Sequence, residues 1–292
     1  MPAPSNSTIC DDGNNGARRR YPFAPTSPVL NKVSGRNASL AVSSKDEALR
    51  SLDAFNRSTS SDESIRLCAL SRTASGKMRT CDAAYRCVFC SRYRLAERRA
   101  DLVSALSVAE DVAFLTVTKM KRTGEVASEW ADLNHVLAKF TDRGTWARFK
   151  NQHGISGYSV TVEHTLTSDG WHVHGHFLFT FSRHIGQQAQ NTLRTATQAR
   201  WAASAIAVGL TADPERQSLR MVPTDERLTI ARYVTKQDLA YRSRTPGTRY
   251  PADLLAEASR GDVDAMDEWQ QYTEAAKGKA LVRQYGSTRG TK

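Results

Sequence analysis

Polar and apolar residues alternate along the first half of residues 170–181, and a nearly continuous apolar stretch follows. Histidines occupy every second position, at His172, His174 and His176, with apolar or small residues between them. Because side chains alternate between the two faces of a β-strand, the three imidazoles share one face and Trp171 and Phe177 share the other. The pattern predicts a strand with one face for binding and one for the core.

A second alternating segment, residues 158–163, precedes this strand, and residues 168–170 between the two are typical of a hairpin loop. We expect Glu163 to pair with His174. The same register gives two further pairs, Thr161 with His176 and Thr165 with His172. A slip of one residue, caused by a bulge at Gly170, would bury the Glu163 carboxylate on the apolar face at a large cost. The paired arrangement is therefore favoured.

Apolar periodicity indicates the other elements. Residues 91–108 have helical spacing, with Leu95, Leu102, Val103 and Leu106 facing inward. We also expect helices around 129–140 and 185–208, and strands near 114, 158, 171 and 218. These elements predict an α+β fold whose central antiparallel sheet carries the histidine hairpin. Flanking helices cover the apolar face of the sheet and leave the histidine face open.

The residues before this domain differ in composition. Residues 1–62 are rich in Ser, Asn, Pro and Arg and have little periodicity, which predicts a disordered basic arm.

Over the whole chain the formal net charge is +11, which favours a polyanionic partner such as nucleic acid over a merely cationic surface. The outward face of the 91–108 helix can follow a DNA backbone with four arginines, Arg92, Arg94, Arg98 and Arg99.

The histidine hairpin is a candidate metal site. Histidines on a strand are often only polar residues on a solvated face, but three in alternation can share one ion with a carboxylate. Two imidazole nitrogens and one carboxylate oxygen, with no thiolate, suit an open catalytic site for Mg²⁺ or Mn²⁺. The imidazoles would also accept Zn²⁺, Co²⁺ or Ni²⁺.

A candidate nucleophile follows the hairpin in the sequence. After Pro223, residues 224–240 are predicted to form a helix with one apolar stripe, Leu228, Ala231, Thr235 and Leu239. Tyr233 and Lys236 lie off that stripe, one turn apart, and can approach the same phosphate, with the lysine as a point cation. A tyrosine and a lysine at this spacing are a weak signal alone, and the histidine strand gives them weight.

The five cysteines indicate a reducing compartment. With no signal peptide and no apolar span long enough to cross a membrane, we expect a cytoplasmic protein without disulfides or a membrane partner. Four of the cysteines can form a structural Zn²⁺ site, namely Cys68, Cys81, Cys87 and Cys90. The alternative is that these four are separate buried thiols. Cys10 is left over.

Three ordered motifs in this chain resemble those of the HUH endonucleases, and within them the rolling-circle replication initiator (Rep) proteins of small bacterial plasmids. The first is an apolar strand with threonines, residues 114–118. The second is the GWHVHGHFL segment, residues 170–178, which is the most specific. The third, residues 232–236, carries the tyrosine. The cysteine cluster ahead of the first motif also resembles this group.

The resemblance implies that His174, His176 and Glu163 hold the metal, whereas His172 is either a further ligand or a DNA contact. It implies that Tyr233 attacks a phosphodiester of single-stranded or extruded origin DNA and keeps the 5′ phosphate. Lys236 would orient the phosphate and stabilise the phenolate, and Arg232 would contact DNA. Host helicase and polymerase would be partners. Some relatives carry a glutamate one turn before the tyrosine to activate water, and this chain has Thr229 there.

The resemblance and the composition divide the chain into four parts. These are a disordered basic arm (1–62), a cysteine-rich segment with a basic helix (63–108), a catalytic domain (109–245) and a helical basic C-terminal tail (246–292). A rolling-circle insertion-sequence transposase remains the main alternative, because it has the same motif order. A relaxase has its tyrosines before the histidines, and a non-enzymatic zinc-binding DNA adaptor would form no covalent adduct.

Overall fold

A computed structural model of the chain describes residues 44–286, apart from 77, 121–123, 237–238, 240–241, 244 and 281. Cys10 and residues 1–43 of the predicted arm therefore lie outside the described residues. The elements are α1 Ser44–Thr59, α2 Glu63–Arg66, α3 Val88–Val108, β1 Asp111–Val117, α4 Val126–Phe140, α5 Arg143–His153, β2 Ile155–Thr167, β3 Gly170–Phe181, α6 Gln187–Ile206, β4 Ser218–Met221, α7 Arg227–Val234, α8 Pro251–Ala258, α9 Val263–Ala275 and β5 Val282–Gly286.

The five strands form one antiparallel sheet in the order β4-β1-β3-β2-β5. The predicted α+β fold is confirmed, and the histidine strand β3 is the central strand. The predicted register is also confirmed, because Glu163 pairs with His174. The two other expected pairs are present, Thr161 with His176 and Thr165 with His172. The carboxylate and the imidazoles therefore share one face of the hairpin.

The opposite face of β3 forms the centre of the core. Phe177 and Phe179 are fully buried there, and burying each side chain contributes about 2 kcal/mol. Phe140 of α4 lies across Phe177 at a ring distance of 5.2 Å, and Trp146 of α5 lies 6.1 Å from Phe179. Helices thus cover the apolar face behind the histidines, as expected.

The hairpin turn depends on glycine. Gly170 has a φ of +94°, and a Cβ atom there would lie 2.8 Å from the carbonyl oxygen of Gly124. The backbone N–H of Trp171 donates to the same oxygen at 2.8 Å. Only a residue without a side chain fits this close approach, so Gly170 fixes where β3 begins and hence which residues face the glutamate.

The predicted arm is wrong at its C-terminal end. Residues Ser44–Thr59 form α1, and Leu49 and Leu52 of this helix are buried. The composition of the segment is polar, but these leucines lie three positions apart and so face the same side of a helix. Packing against the remainder of the fold explains why the segment is ordered despite its low hydrophobicity.

The predicted helical basic tail, residues 246–292, is wrong in two respects. Helices α8 and α9 are present, but β5 follows them and pairs with β2, so the segment completes the sheet. It also carries as many acidic as basic side chains. No helix among the described residues is both long enough and apolar enough to cross a membrane.

Candidate metal centre and nucleophile

Glu163, His174 and His176 bring three potential metal ligands together. One donor atom from each lies within 4.8 Å of the others. Oε2 of Glu163 is 2.6 Å from Nε2 of His176 and 3.4 Å from Nε2 of His174. Glu163 and His176 are buried, whereas His174 keeps 23% of its side chain exposed. The arrangement offers two nitrogens and one oxygen to an ion that can be approached from the His174 side.

Burial and hydrogen bonding set the charge state of these ligands. Burial lowers the pKa of His176, against the opposing effect of Glu163. Burial alone would raise the pKa of Glu163, but hydrogen bonds from His174 and His176 and the charge of Lys236 hold that pKa well below its ordinary value. A neutral imidazole and an ionised carboxylate are the forms that ligate metals.

Thr116 orients His176. Its hydroxyl Oγ1 lies 3.1 Å from Nδ1 of the imidazole, on the ring side opposite Glu163. With an ion in the cluster, Nδ1–H would donate to this oxygen and the lone pair of Nε2, no longer protonated toward Glu163, would face the ion. The threonine belongs to the first of the three motifs, on β1, and this contact gives the motif a physical role.

His172 does not join the cluster. It is exposed at the outer end of the same strand face, opposite Thr165. The three-residue ligand cluster within the described residues consists of Glu163, His174 and His176 alone. The choice between ligand and DNA contact for His172 stays a prediction, and its exposure favours the contact.

Tyr233 lies beside the ligands. Its ring centroid is 5.5 Å from that of His176 and 5.8 Å from that of Phe114 on β1, which places α7 over part of the histidine face. The expectation of a fully open histidine face is therefore wrong at this end. Tyr233 is half-buried, and the accessible approach is along His172 and His174.

The helix that carries Tyr233 is shorter than predicted. It ends at Val234 rather than near residue 240, and the predicted inward residue Leu228 is exposed. Arg99 of α3 contacts the residue that follows the helix, because its Nε donates to Oγ1 of Thr235 at 2.8 Å and its Nη2 donates to the Thr235 carbonyl at 3.1 Å. The last carbonyls at a helix C-terminus have no intrahelical partner, and the guanidinium supplies a donor at this end.

Lys236 follows in the turn after the helix. Its Nζ lies 2.7 Å from Oε1 of Glu163 and 3.8 Å from the centre of the Tyr233 ring. The lysine therefore links the candidate nucleophile to the candidate metal ligand. That Lys236 orients a phosphate stays a prediction.

Only some of the four arginines predicted to lie on the outward face of α3 are exposed. Arg92 is exposed and Arg98 is exposed in a pair with Asp101. Arg94 forms ion pairs with Asp82 and Glu97. Arg99 is half-buried against the end of α7, so its assignment to the outward face is wrong. Arg232, on α7 itself, is half-buried.

Tyr250 reaches the same site from outside the three motifs. Its hydroxyl donates to Oε1 of Glu163 at 3.0 Å. From the sequence alone, this residue belongs to the predicted C-terminal tail and has no predicted role. A helix start at Pro251, with Asp253 two residues later, is visible in the sequence, but nothing there connects that start to the hairpin.

The four predicted zinc ligands converge beside α3. Their sulfur atoms all lie within 4.8 Å of one another, with 3.4 Å between Cys68 and Cys90 and 3.6 Å between Cys81 and Cys90. None forms a disulfide. Tetrahedral zinc–thiolate bonds place sulfur atoms about 3.8 Å apart, so these residues fit such an ion. Hydrogen bonds from the neighbouring thiols lower the pKa of Cys68, which favours a thiolate there.

Comparison of the chain with models of protein families, with curated proteins and with solved structures gave no match. The functional interpretation therefore depends on the chemistry of the site.

Proposed function

We propose that this protein is a metal-dependent enzyme of the HUH endonuclease type that nicks and joins single-stranded DNA through Tyr233, and that it initiates rolling-circle plasmid replication. One observation carries the proposal. A Glu-His-His ligand cluster on the hairpin and a tyrosine from a distant helix meet within one site, with Lys236 between them. The order of the three motifs and the net charge of +11 also support it.

Tyr233 acts as the nucleophile. Its phenolic oxygen attacks the phosphorus, a bond to the 5′ phosphate forms, and the bond to the 3′ oxygen breaks. The proton that the phenol loses ends on the released 3′ hydroxyl. A second 3′ hydroxyl reverses the step, so the same residues can nick and join.

The neighbouring side chains support that attack. A phenol keeps its proton at neutral pH, and the ammonium of Lys236 next to the ring favours the ionised form. Glu163 keeps this ammonium in place from the other side. Glu163, His174 and His176 would hold a divalent ion, which we propose to be Mg²⁺ or Mn²⁺ and which would supply Lewis-acid chemistry for the phosphate.

A covalent adduct tests the reaction. The full-length protein is incubated with Mn²⁺ and with single-stranded oligonucleotides that tile both strands of DNA around its gene, and the products are separated on a denaturing gel. We expect an adduct with the unaltered protein and with the control Tyr93→Phe, an exposed tyrosine on α3, and none with Tyr233→Phe. An adduct with Tyr233→Phe would refute the nucleophile. Mapping the adduct to a plasmid origin supports the initiator role, and mapping it to a mobile-element end supports a transposase.

We propose Zn²⁺ for the cysteine cluster, because four thiolates suit this ion better than Mg²⁺ or Mn²⁺. Elemental analysis of the purified protein is expected to find one zinc per chain. Replacing Cys90, whose sulfur lies 3.4 Å from that of Cys68 and 3.6 Å from that of Cys81, with serine should remove it. Protein that is folded and free of zinc would contradict the assignment.

A further inference from the structure

The two carboxylate oxygens of Glu163 have separate partners. Oε2 faces Nε2 of His176 and Nε2 of His174. Oε1 accepts the hydrogen bond from Tyr250 at 3.0 Å and lies 2.7 Å from Nζ of Lys236. Oε2 is thus directed toward the two histidines. Oε1, on the other side of the carboxylate, contacts two donors, Tyr250 and Lys236.

The position of Tyr250 is fixed by the backbone of the strand that carries Glu163. Leu166 and Arg249 exchange two backbone hydrogen bonds of 2.8 Å each, as in an antiparallel strand pair. Leu166 is three residues after Glu163 on β2, and Arg249 directly precedes Tyr250. The backbone next to Tyr250 is therefore hydrogen-bonded to β2, the strand that carries Glu163.

A second set of bonds orients Tyr250 at the start of α8. Its backbone N–H donates to Oδ2 of Asp253 at 2.8 Å, and the N–H of Ser243 donates to the same oxygen at 2.9 Å. Pro251 begins the helix with its φ already set for helical geometry. These bonds fix the backbone from which the Tyr250 side chain reaches Glu163.

We propose that Tyr250 is a positioning residue of the metal centre, which holds Oε1 of Glu163 so that Oε2 is presented to the ion. The inference rests on the proposed function, since it requires that the cluster binds a divalent metal. Lys236 has a long flexible side chain and cannot by itself fix the rotation of the carboxylate. A phenol on a rigid backbone can fix that rotation. Hydrogen bonds to the side of a ligand that faces away from the ion commonly orient metal ligands.

The test removes only the hydroxyl. Mn²⁺ is titrated into the full-length protein, and free and bound Mn²⁺ are measured by electron paramagnetic resonance for the unaltered protein, Tyr250→Phe, His176→Ala and the control Tyr93→Phe. We expect Tyr250→Phe to weaken Mn²⁺ binding about 10- to 100-fold and to change the spectrum of the bound ion. Tyr93→Phe should do neither. The near-ultraviolet circular dichroism spectrum without metal should show a folded protein for both Tyr250→Phe and Tyr93→Phe, because the phenylalanine ring preserves the packing.

The outcomes separate the inference from the proposed function. If His176→Ala loses Mn²⁺ while Tyr250→Phe keeps its full affinity and spectrum, the metal centre stands and the role of Tyr250 is refuted. A weakened affinity together with the metal-free spectrum of an unfolded protein would also refute it, because Tyr250 would then be needed for the fold itself. If the unaltered protein and His176→Ala bind Mn²⁺ equally poorly, the metal centre and the positioning role both fail.

Discussion

At the scale of single residues, the site concentrates charge in a nearly dry environment. Glu163 is 4% exposed and its partner Lys236 has 11% of its side chain exposed. Removing one member of a buried ion pair costs far more than the pair contributes, because the remaining charge stays desolvated. The cluster therefore depends on Glu163 for its stability as well as for its donor atom.

This dependence predicts the effect of Glu163→Gln. The amide keeps the shape of the side chain but leaves the Lys236 ammonium without a counter-charge, so we expect the free energy of unfolding to fall by about 3–5 kcal/mol. Urea unfolding with a chelator present measures it. The matched control is Glu226→Gln, which removes an ion pair with Arg220 between half-exposed side chains and should cost no more than about 1 kcal/mol. Equal losses in the two variants would contradict the prediction.

The grouping of Glu163, His174 and His176 could be predicted from the sequence for a simple reason. Strand periodicity fixes which side chains share a face, and the high cost of burying Glu163 on the apolar side fixes the register. Tyr250 could not be predicted in the same way. Its contact depends on a bridge between Leu166 and Arg249, which are far apart in the chain and belong to no shared pattern.

At the scale of elements, α3 holds the segment that follows the candidate nucleophile. Arg99 binds Thr235 through two donors, and Oγ of Ser91 accepts the backbone N–H of Leu239 at 3.0 Å. Ser91 directly follows Cys90, so the cysteine cluster and the turn after α7 are attached to the same helix. The helix predicted from the sequence was too long here, because the periodicity of residues 224–240 carries no information about the tertiary contacts that hold the chain after Val234.

Arg99→Lys tests this attachment. A lysine cannot reproduce the two directed donors of a guanidinium, so we expect Tyr233 and Lys236 to shift and adduct formation to slow about 10- to 100-fold, with DNA affinity unchanged. Rates from single-turnover gels and affinities from fluorescence anisotropy measure the two effects.

Arg92→Ala is the control on the same helix. Arg92 is exposed. Its loss should weaken DNA binding and reduce the salt dependence of that binding, without changing the rate at which the bound complex forms the adduct. If Arg99→Lys behaved like Arg92→Ala, Arg99 would be a DNA contact, as the sequence alone suggested.

At the scale of the whole molecule, the C-terminal strand protects the sheet. β5 pairs with residues 157–161 of β2 and so covers an edge next to the hairpin. An uncovered edge strand presents unpaired backbone groups to other chains. The segment that composition described as a tail is therefore part of the sheet that carries the candidate metal centre.

Ending the chain after Ala280 removes β5. We expect a lower melting temperature and self-association at micromolar concentration, because the edge of β2 is exposed. Differential scanning fluorimetry and light scattering measure these effects. A chain that ends after Gly286 retains the strand and serves as the control. A shorter chain that stayed monomeric with an unchanged melting temperature would contradict the role of β5.

The contact between Arg99 and Thr235 also has a consequence for folding kinetics. It joins positions 136 residues apart, whereas Glu163 and His176 are only 13 apart. Short loops close at a lower entropic cost and form sooner than long ones. We therefore expect the ligand hairpin to assemble before the tyrosine is aligned. Under the proposed function, a newly synthesised chain that has only its hairpin in place cannot yet cut DNA, so cleavage begins when folding is complete.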